Sequence, residues 1–115
     1  MRRILTQGGI YVVDLDGIGC EQSGLRPCIV VSNQVACAYS PTVTIVPITS
    51  KDKKYMPTHY ILNSNRYNYF NENENTVLCE QIRTVDKCRF RQFLGKLRHD
   101  DFNGVLEKIN RNFHT

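Results

Sequence analysis

The run GCEQSGLRPCIVVS, Gly19 to Ser32, sets Glu21, Gln22, Ser23 and Arg26 directly ahead of an apolar, β-branched segment. A carboxylate, an amide, a hydroxyl and a guanidinium so close together form either a solvated turn or a reactive site braced by a rigid strand. Two further stretches repeat the arrangement. PITSK, Pro47 to Lys51, puts Thr49 and Ser50 at the end of an alternating apolar run and follows them with lysines. CEQIRT, Cys79 to Thr84, adds Glu80, Gln81 and Arg83. Hydroxyls, amides and guanidiniums bind phosphate oxygens and base edges. Glu80 and Arg83 also read as cross-strand partners, which leaves Glu80 outside the expected site.

The elements that must position these groups are mostly strands. GIYVVDL (Gly9–Leu15), PCIVVS (Pro27–Ser32) and TVTIVPIT (Thr42–Thr49) combine β-branched and aromatic residues with turn-forming punctuation between them. Pro47 has no N–H for a ladder, so an edge position or a bulge is expected there. THYIL (Thr58–Leu62), TVLCEQIRTV (Thr76–Val85) and RQFLGKL (Arg91–Leu97) read as further strands, NQVACAYSP as a connection and NSNRYNYFNENEN as an irregular crossing. Tyr67, Tyr69 and Phe70 within that crossing are expected to pack in the core rather than stack on bases. One helix is expected, at the C-terminal end, with Phe102, Val105, Leu106, Ile109 and Phe113 on its apolar face and Asp100 or Asp101 as N-cap. Short strands plus a terminal helix imply a mainly β fold, a small bent sheet or barrel.

Composition narrows the function classes. The 115 residues, 41% apolar and 23% charged, suit one globular domain over residues 1–115. No apolar run approaches the roughly 20 residues of a membrane span. The two arginines of MRRILTQGGIYVVDLDG precede no sustained apolar region, so a cytoplasmic protein is expected. A net charge of +4 is compatible with a polyanionic partner. The five cysteines include no C-x-x-C pair, so neither a disulfide framework nor a zinc site is indicated. Cys28 and Cys79 read as small core residues.

Taken in order, GGIYVVDLD, GCEQSGLRPCIVVSN, SPTVTIVPITSK, PTH, VLCEQIRTVDKCRF and LGKL resemble the MazF/PemK family of toxin endoribonucleases from type II toxin–antitoxin systems. The resemblance runs from Gly9 to the terminal helix. It implies an SH3-like β-barrel of the MazF/CcdB type, usually a homodimer, that cleaves single-stranded RNA without a metal or other cofactor. It also implies a cognate antitoxin, acidic and partly disordered, as inhibitor. Arg26 and Thr49 match the family's catalytic pair; Glu21 and Gln22 match the E-Q that lines the RNA site, and Gln81 the glutamine of the second E-Q. Cys20, Ser50 and Lys51 are expected to join the RNA-binding surface. Two departures fall on the loop expected to close over RNA: Cys20 replaces the usual serine, and DGIG is about one residue short and lacks the common proline.

Metal-free cleavage of RNA uses the ribose 2′-OH as nucleophile. It needs a base for that proton, an acid for the leaving 5′-oxygen and a cation for the growing charge. Arg26 suits the last role, because its planar fork holds two phosphate oxygens, and a guanidinium, which keeps its proton, is a poor base. Thr49 would donate to a phosphate oxygen, and Glu21 is the candidate base. His59, His99 and His114 lie outside the polar motifs, which disfavours a histidine pair. A non-cleaving binding module that acts through a protein partner, or an inactive homologue that keeps only antitoxin binding, is the alternative. Gyrase poisons of the CcdB type share the fold but act through a tryptophan-bearing C-terminal segment, and this chain has no tryptophan.

Overall fold

The computed structural model describes residues 4–50, 55–70 and 74–114. Within them the chain runs β1 (Gly9–Leu15), β2 (Gly24–Val30), α1 (Gln34–Tyr39), β3 (Thr42–Thr49), β4 (His59–Asn63), β5 (Glu74–Leu78), β6 (Arg83–Asp86), β7 (Phe90–Lys96) and α2 (His99–Arg111). Every strand pairing is antiparallel, in the order β4-β5-β3-β2-β1-β7, with β6 also paired to β3. The sheet is bent but open, a looser form of the expected barrel.

Period-two alternation splits the apolar residues between two cores. Tyr11, Val13, Leu15, Cys28, Val30, Val43, Ile45 and Val85 fill one, closed by Leu5, Cys37 and Phe90. Ile10, Ile29, Val46, Ile48, Leu62 and Val77 fill the other, covered by Val105 with Phe102 and Ile109 of α2. Tyr67 is buried there and Tyr69 and Phe70 pack against it, as expected of core residues.

Several elements depart from the sequence expectations. NQVACAYSP is not a bare connection: it forms α1, capped by Asn33, whose side-chain oxygen accepts from the Ala36 N–H. Thr76–Val85 is not one strand. A 3₁₀ turn over Cys79–Gln81 divides β5 from β6 and throws Glu80 and Gln81 out of the ladder. Pro47 does not mark an edge. It pairs with Cys28, and on its other side β3 has already left β6 at Ile45 and not yet met β5 at Ile48, so no N–H is required there. In α2 neither Asp100 nor Asp101 is the cap; both lie in the first turn after Arg98. Asp101 is instead claimed by Tyr60, Tyr67 and Arg66. Phe113 falls beyond α2 and is exposed, as is Leu106 in part, so Phe102, Val105 and Ile109 are the residues of the apolar stripe that are covered.

Candidate active site

At one end of the first core an open cleft of about 250 Å³ is lined by Leu15, Glu21, Gln22, Pro47, Glu80, Gln81, Ile82 and Arg83. One wall is the loop between β1 and β2; the other is the 3₁₀ turn and the start of β6. The loop turns at Gly19 and Gly24, whose φ values of 63° and 74° lie in the left-handed region that side chains resist. Its course is held by the opposite wall. The Gln81 side chain accepts from the Gln22 N–H at 2.9 Å and donates to the Cys20 carbonyl at 3.3 Å, while Arg83 donates to the Asp16 carbonyl at 2.6 Å. Both ends of the Gln81 amide are thus engaged with the loop. Arg89 adds an ion pair to Asp16 at 2.9 Å.

Arg26 sits on β2 opposite Val13. Its Nε donates to the Ser23 carbonyl at 2.9 Å, which fixes the guanidinium plane against its own turn and leaves the terminal nitrogens for an anion. Among the described residues it has no carboxylate partner. Cys28 opposes Pro47 in the last pair between β2 and β3, beyond which β3 pairs with β5. Thr49 is buried, the last residue of β3, and pairs with Thr76. Ser50 follows it and is exposed. Lys51, with Lys53 and Lys54, lies outside the described residues.

Glu21 and Cys20 are exposed on the loop. Gln22 is half-buried, and its buried Oε1 has no hydrogen-bond partner among the described residues. An unsatisfied acceptor costs roughly 1–3 kcal/mol, a cost that a donor on a bound ligand would remove. Cys28 and Cys79 are core residues as expected; burial pushes each thiol up to about 12, which removes them as nucleophiles. Among the described residues no group of three His, Cys, Asp or Glu is placed to hold a metal ion, and no helix is long and apolar enough to cross a membrane.

The cleft contains a carboxylate that the sequence reading leaves out. Glu80 lies in the 3₁₀ turn and takes no place in a strand ladder, whereas Arg83 is paired across strands with Ile45. The Glu80 Oε1 accepts from the Thr58 hydroxyl at 3.1 Å, and its Oε2 lies 3.0 Å from Nε2 of His59, a buried residue at the start of β4. His59 therefore touches the polar motifs rather than lying apart from them. The signal was present in the adjacency of PTH to a strand, but the partner lies 21 residues away along the chain. His99 remains remote, bonded to Asn103 on α2.

An antiparallel β fold with a terminal helix and a cleft of amides, carboxylates and one guanidinium beside two strand ends defines a small mainly β protein with a polar cleft. Residues 6–113 match the PemK-like, MazF-like toxin of type II toxin–antitoxin systems, and the chain belongs to that family. It is 35% identical to endoribonuclease EndoA of Bacillus subtilis over 109 residues, which cover 93% of this chain and 89% of that one. It is 32% identical to endoribonuclease MazF of Staphylococcus saprophyticus over 117 residues, 97% of this chain and 95% of the relative. A mycobacterial endoribonuclease solved in complex with its cognate antitoxin shares the fold at a TM-score of 0.72 and 19% identity, covering 96% of this chain and 94% of that one.

Proposed function

We propose that this protein is a sequence-specific, metal-independent endoribonuclease toxin that cuts single-stranded RNA, with messenger RNA as the substrate whose loss halts translation. The observation that carries the reading is the cleft itself, where both E-Q segments line facing walls. Arg26, with its guanidinium plane fixed by Ser23, stabilises the pentacoordinate phosphate, and Thr49 donates to one of its oxygens. A carboxylate takes the 2′-hydroxyl proton, with Glu21 as the base expected from the sequence. Gln22 presents its unpaired acceptor to a base or ribose donor. Gln81 acts by holding the loop in shape, and Cys20, Ser50 and Lys51 extend the RNA surface.

The toxin acts in the cytoplasm as a homodimer and is silenced by a cognate antitoxin whose acidic tail occupies the basic RNA surface. Purified protein incubated with a long single-stranded RNA in excess EDTA should cut it, leaving 2′,3′-cyclic phosphate and 5′-hydroxyl ends. Loss of cutting in EDTA, or 5′-phosphate products, would sink the mechanism. Light scattering should give a dimer at micromolar concentration, and addition of the antitoxin should abolish cleavage.

A further inference from the structure

We propose that Arg83, Arg89 and Arg91 form a phosphate track that carries single-stranded RNA out of the cleft, past the end of β1 to the start of β7. The inference rests on the reading of the cleft as an RNA-cutting site and extends the substrate contact beyond the cleft walls.

The row follows from the strand pairing. β7 starts against the end of β1, with Phe90 opposite Val13, and a 3₁₀ turn over Lys87–Arg89 joins it to β6, whose first residue is Arg83. All three arginines therefore meet the chain as it leaves β1. Arg83 donates to the Asp16 carbonyl at 2.6 Å, and Arg89 pairs with the Asp16 carboxylate at 2.9 Å. Arg89 also donates to the Asp14 carbonyl at 3.3 Å, while Arg91 reaches the Asp14 carboxylate at 3.4 Å. These shared partners set the guanidiniums in sequence, Arg83 then Arg89 then Arg91. Arg83 lines the cleft, so the row begins where the cleft does.

Two features suit the row to phosphate. Each guanidinium is anchored by a main-chain carbonyl: Asp16 for Arg83, Asp14 for Arg89, and Cys88 at 2.8 Å for Arg91. A carbonyl fixes the plane of the fork without cancelling its charge. The carboxylates that do oppose the charge are open to solvent, with the Asp16 side chain 78% exposed and that of Asp14 45% exposed. Ion pairs so exposed add little to stability, and a phosphate can take the carboxylate's place at small cost. Asp86, at the head of the turn, accepts from the Cys88 N–H and forms no ion pair with the row among the described residues. An extended RNA strand carries a phosphate at every nucleotide and meets a row of forks that starts at the cleft. An acidic peptide would have no need of that continuity.

The test is fluorescence anisotropy over a salt series, with RNA made uncleavable by a 2′-deoxy substitution at the mapped cut site. A short RNA that fills the cleft is compared with a longer one that extends beyond it. The proteins are wild type, Arg89→Gln, Arg91→Gln, the double variant Arg89→Gln/Arg91→Gln and Asp14→Asn, with thermal melts as control. On the longer RNA each lost arginine should flatten the slope of log affinity against log salt by about 0.7 and weaken binding about threefold. The double variant should lose about tenfold, and the short RNA should lose less in every case. Asp14→Asn removes the carboxylate that competes for Arg91, so it should bind the longer RNA about twofold to threefold more tightly. If Arg89→Gln does not fold, Arg91→Gln and Asp14→Asn carry the comparison. Arginines that only brace the loop would give weaker binding in Asp14→Asn and equal losses on both RNAs. Either result, or an unchanged salt slope, would overturn the track, as would variants that keep RNA affinity and lose the antitoxin. A wild-type protein that neither binds nor cuts RNA would refute the proposed function itself, which the other outcomes leave standing.

Discussion

Neighbouring residues of β4, His59 and Tyr60, each hold a carboxylate, on opposite faces of one strand. On one face His59 and Thr58 hold Glu80 at the cleft. On the other, Tyr60 donates to Asp101 at 2.6 Å, joined by the Tyr67 hydroxyl at 2.5 Å and Arg66 at 3.3 Å. The Tyr67 oxygen also accepts from the Arg98 N–H, which ties the same node to the start of α2. Asp101 is closed in: its side chain is 5% exposed and both oxygens are occupied. Glu80 has two donors and an open side. Similar chemistry therefore serves two ends. A saturated, buried carboxylate pins a helix to a sheet, while a partly satisfied one at a cleft keeps acceptor capacity for something that is not protein.

The most severe loss of function is expected at Arg26, on β2 and outside the residues that line the cleft. If Arg26 attracted RNA only by its charge, Arg26→Lys would keep most activity. If the guanidinium fork holds two phosphate oxygens, lysine cannot replace it, and the rate should fall about a hundredfold or more, nearly as far as in Arg26→Ala. Single-turnover kinetics should register that loss while melting temperature and RNA binding change little. A fully active Arg26→Lys protein would reduce Arg26 to a general cation.

The opposite signature is expected at the other carboxylate. Asp101→Asn removes the charge opposite Arg66 and disturbs the tyrosine bonds, so denaturant melts should show a loss of about 2–4 kcal/mol. Cleavage per folded molecule should stay at the wild-type rate. A stable but inactive Asp101→Asn would erase the distinction between the two nodes.

A smaller effect should follow from loosening the cleft's loop wall. Gln81→Ala frees both the Gln22 N–H and the Cys20 carbonyl, and the ordering cost of a few loop residues should weaken cleavage about tenfold. The loss should fall chiefly on RNA binding. Unchanged binding with a lowered rate would place Gln81 at the chemistry instead.

The smallest expected effect is alkaline. Burial, and then the hydrogen bond to Asp101, pushes the Tyr60 hydroxyl up to about 12 from an ordinary 10.0, and Tyr67 moves in the same direction for the same reasons. The folded state therefore favours the neutral phenol. That stability is fully present below about pH 10 and is lost as pH rises towards 12. Tyr60→Phe should flatten the fall in melting temperature over that window, and an unchanged slope would remove Tyr60 from it.

Much of the fold was legible because alternation and turn residues act locally. β1 and β3 fall at their expected bounds, and β2, β4 and β7 within a few residues of theirs. What misled was tertiary. Asp100 and Asp101 have the chemistry of an N-cap, but Tyr60 and Tyr67 lie far along the chain and take Asp101 first. The 3₁₀ turn inside Thr76–Val85 interrupts a run whose composition is that of a strand. It forms where β3 exchanges β6 for β5, a partner change that no local pattern records.

The same division holds at the candidate site. Residue types and their order in GCEQSGLRP, PITS and CEQIRT determined the family and the chemical groups present, because motifs of that kind are written along the chain. Whether an amide reads a base or latches a loop, and whether a carboxylate is a solvated charge or a held acceptor, depends on which donors fold against it. Gln81 meets Cys20 and Gln22, and Glu80 meets Thr58 and His59, only because three strands end at one edge. Hydrogen bonds reach about 3 Å, and separations of 21 to 61 residues are brought within that reach by packing alone.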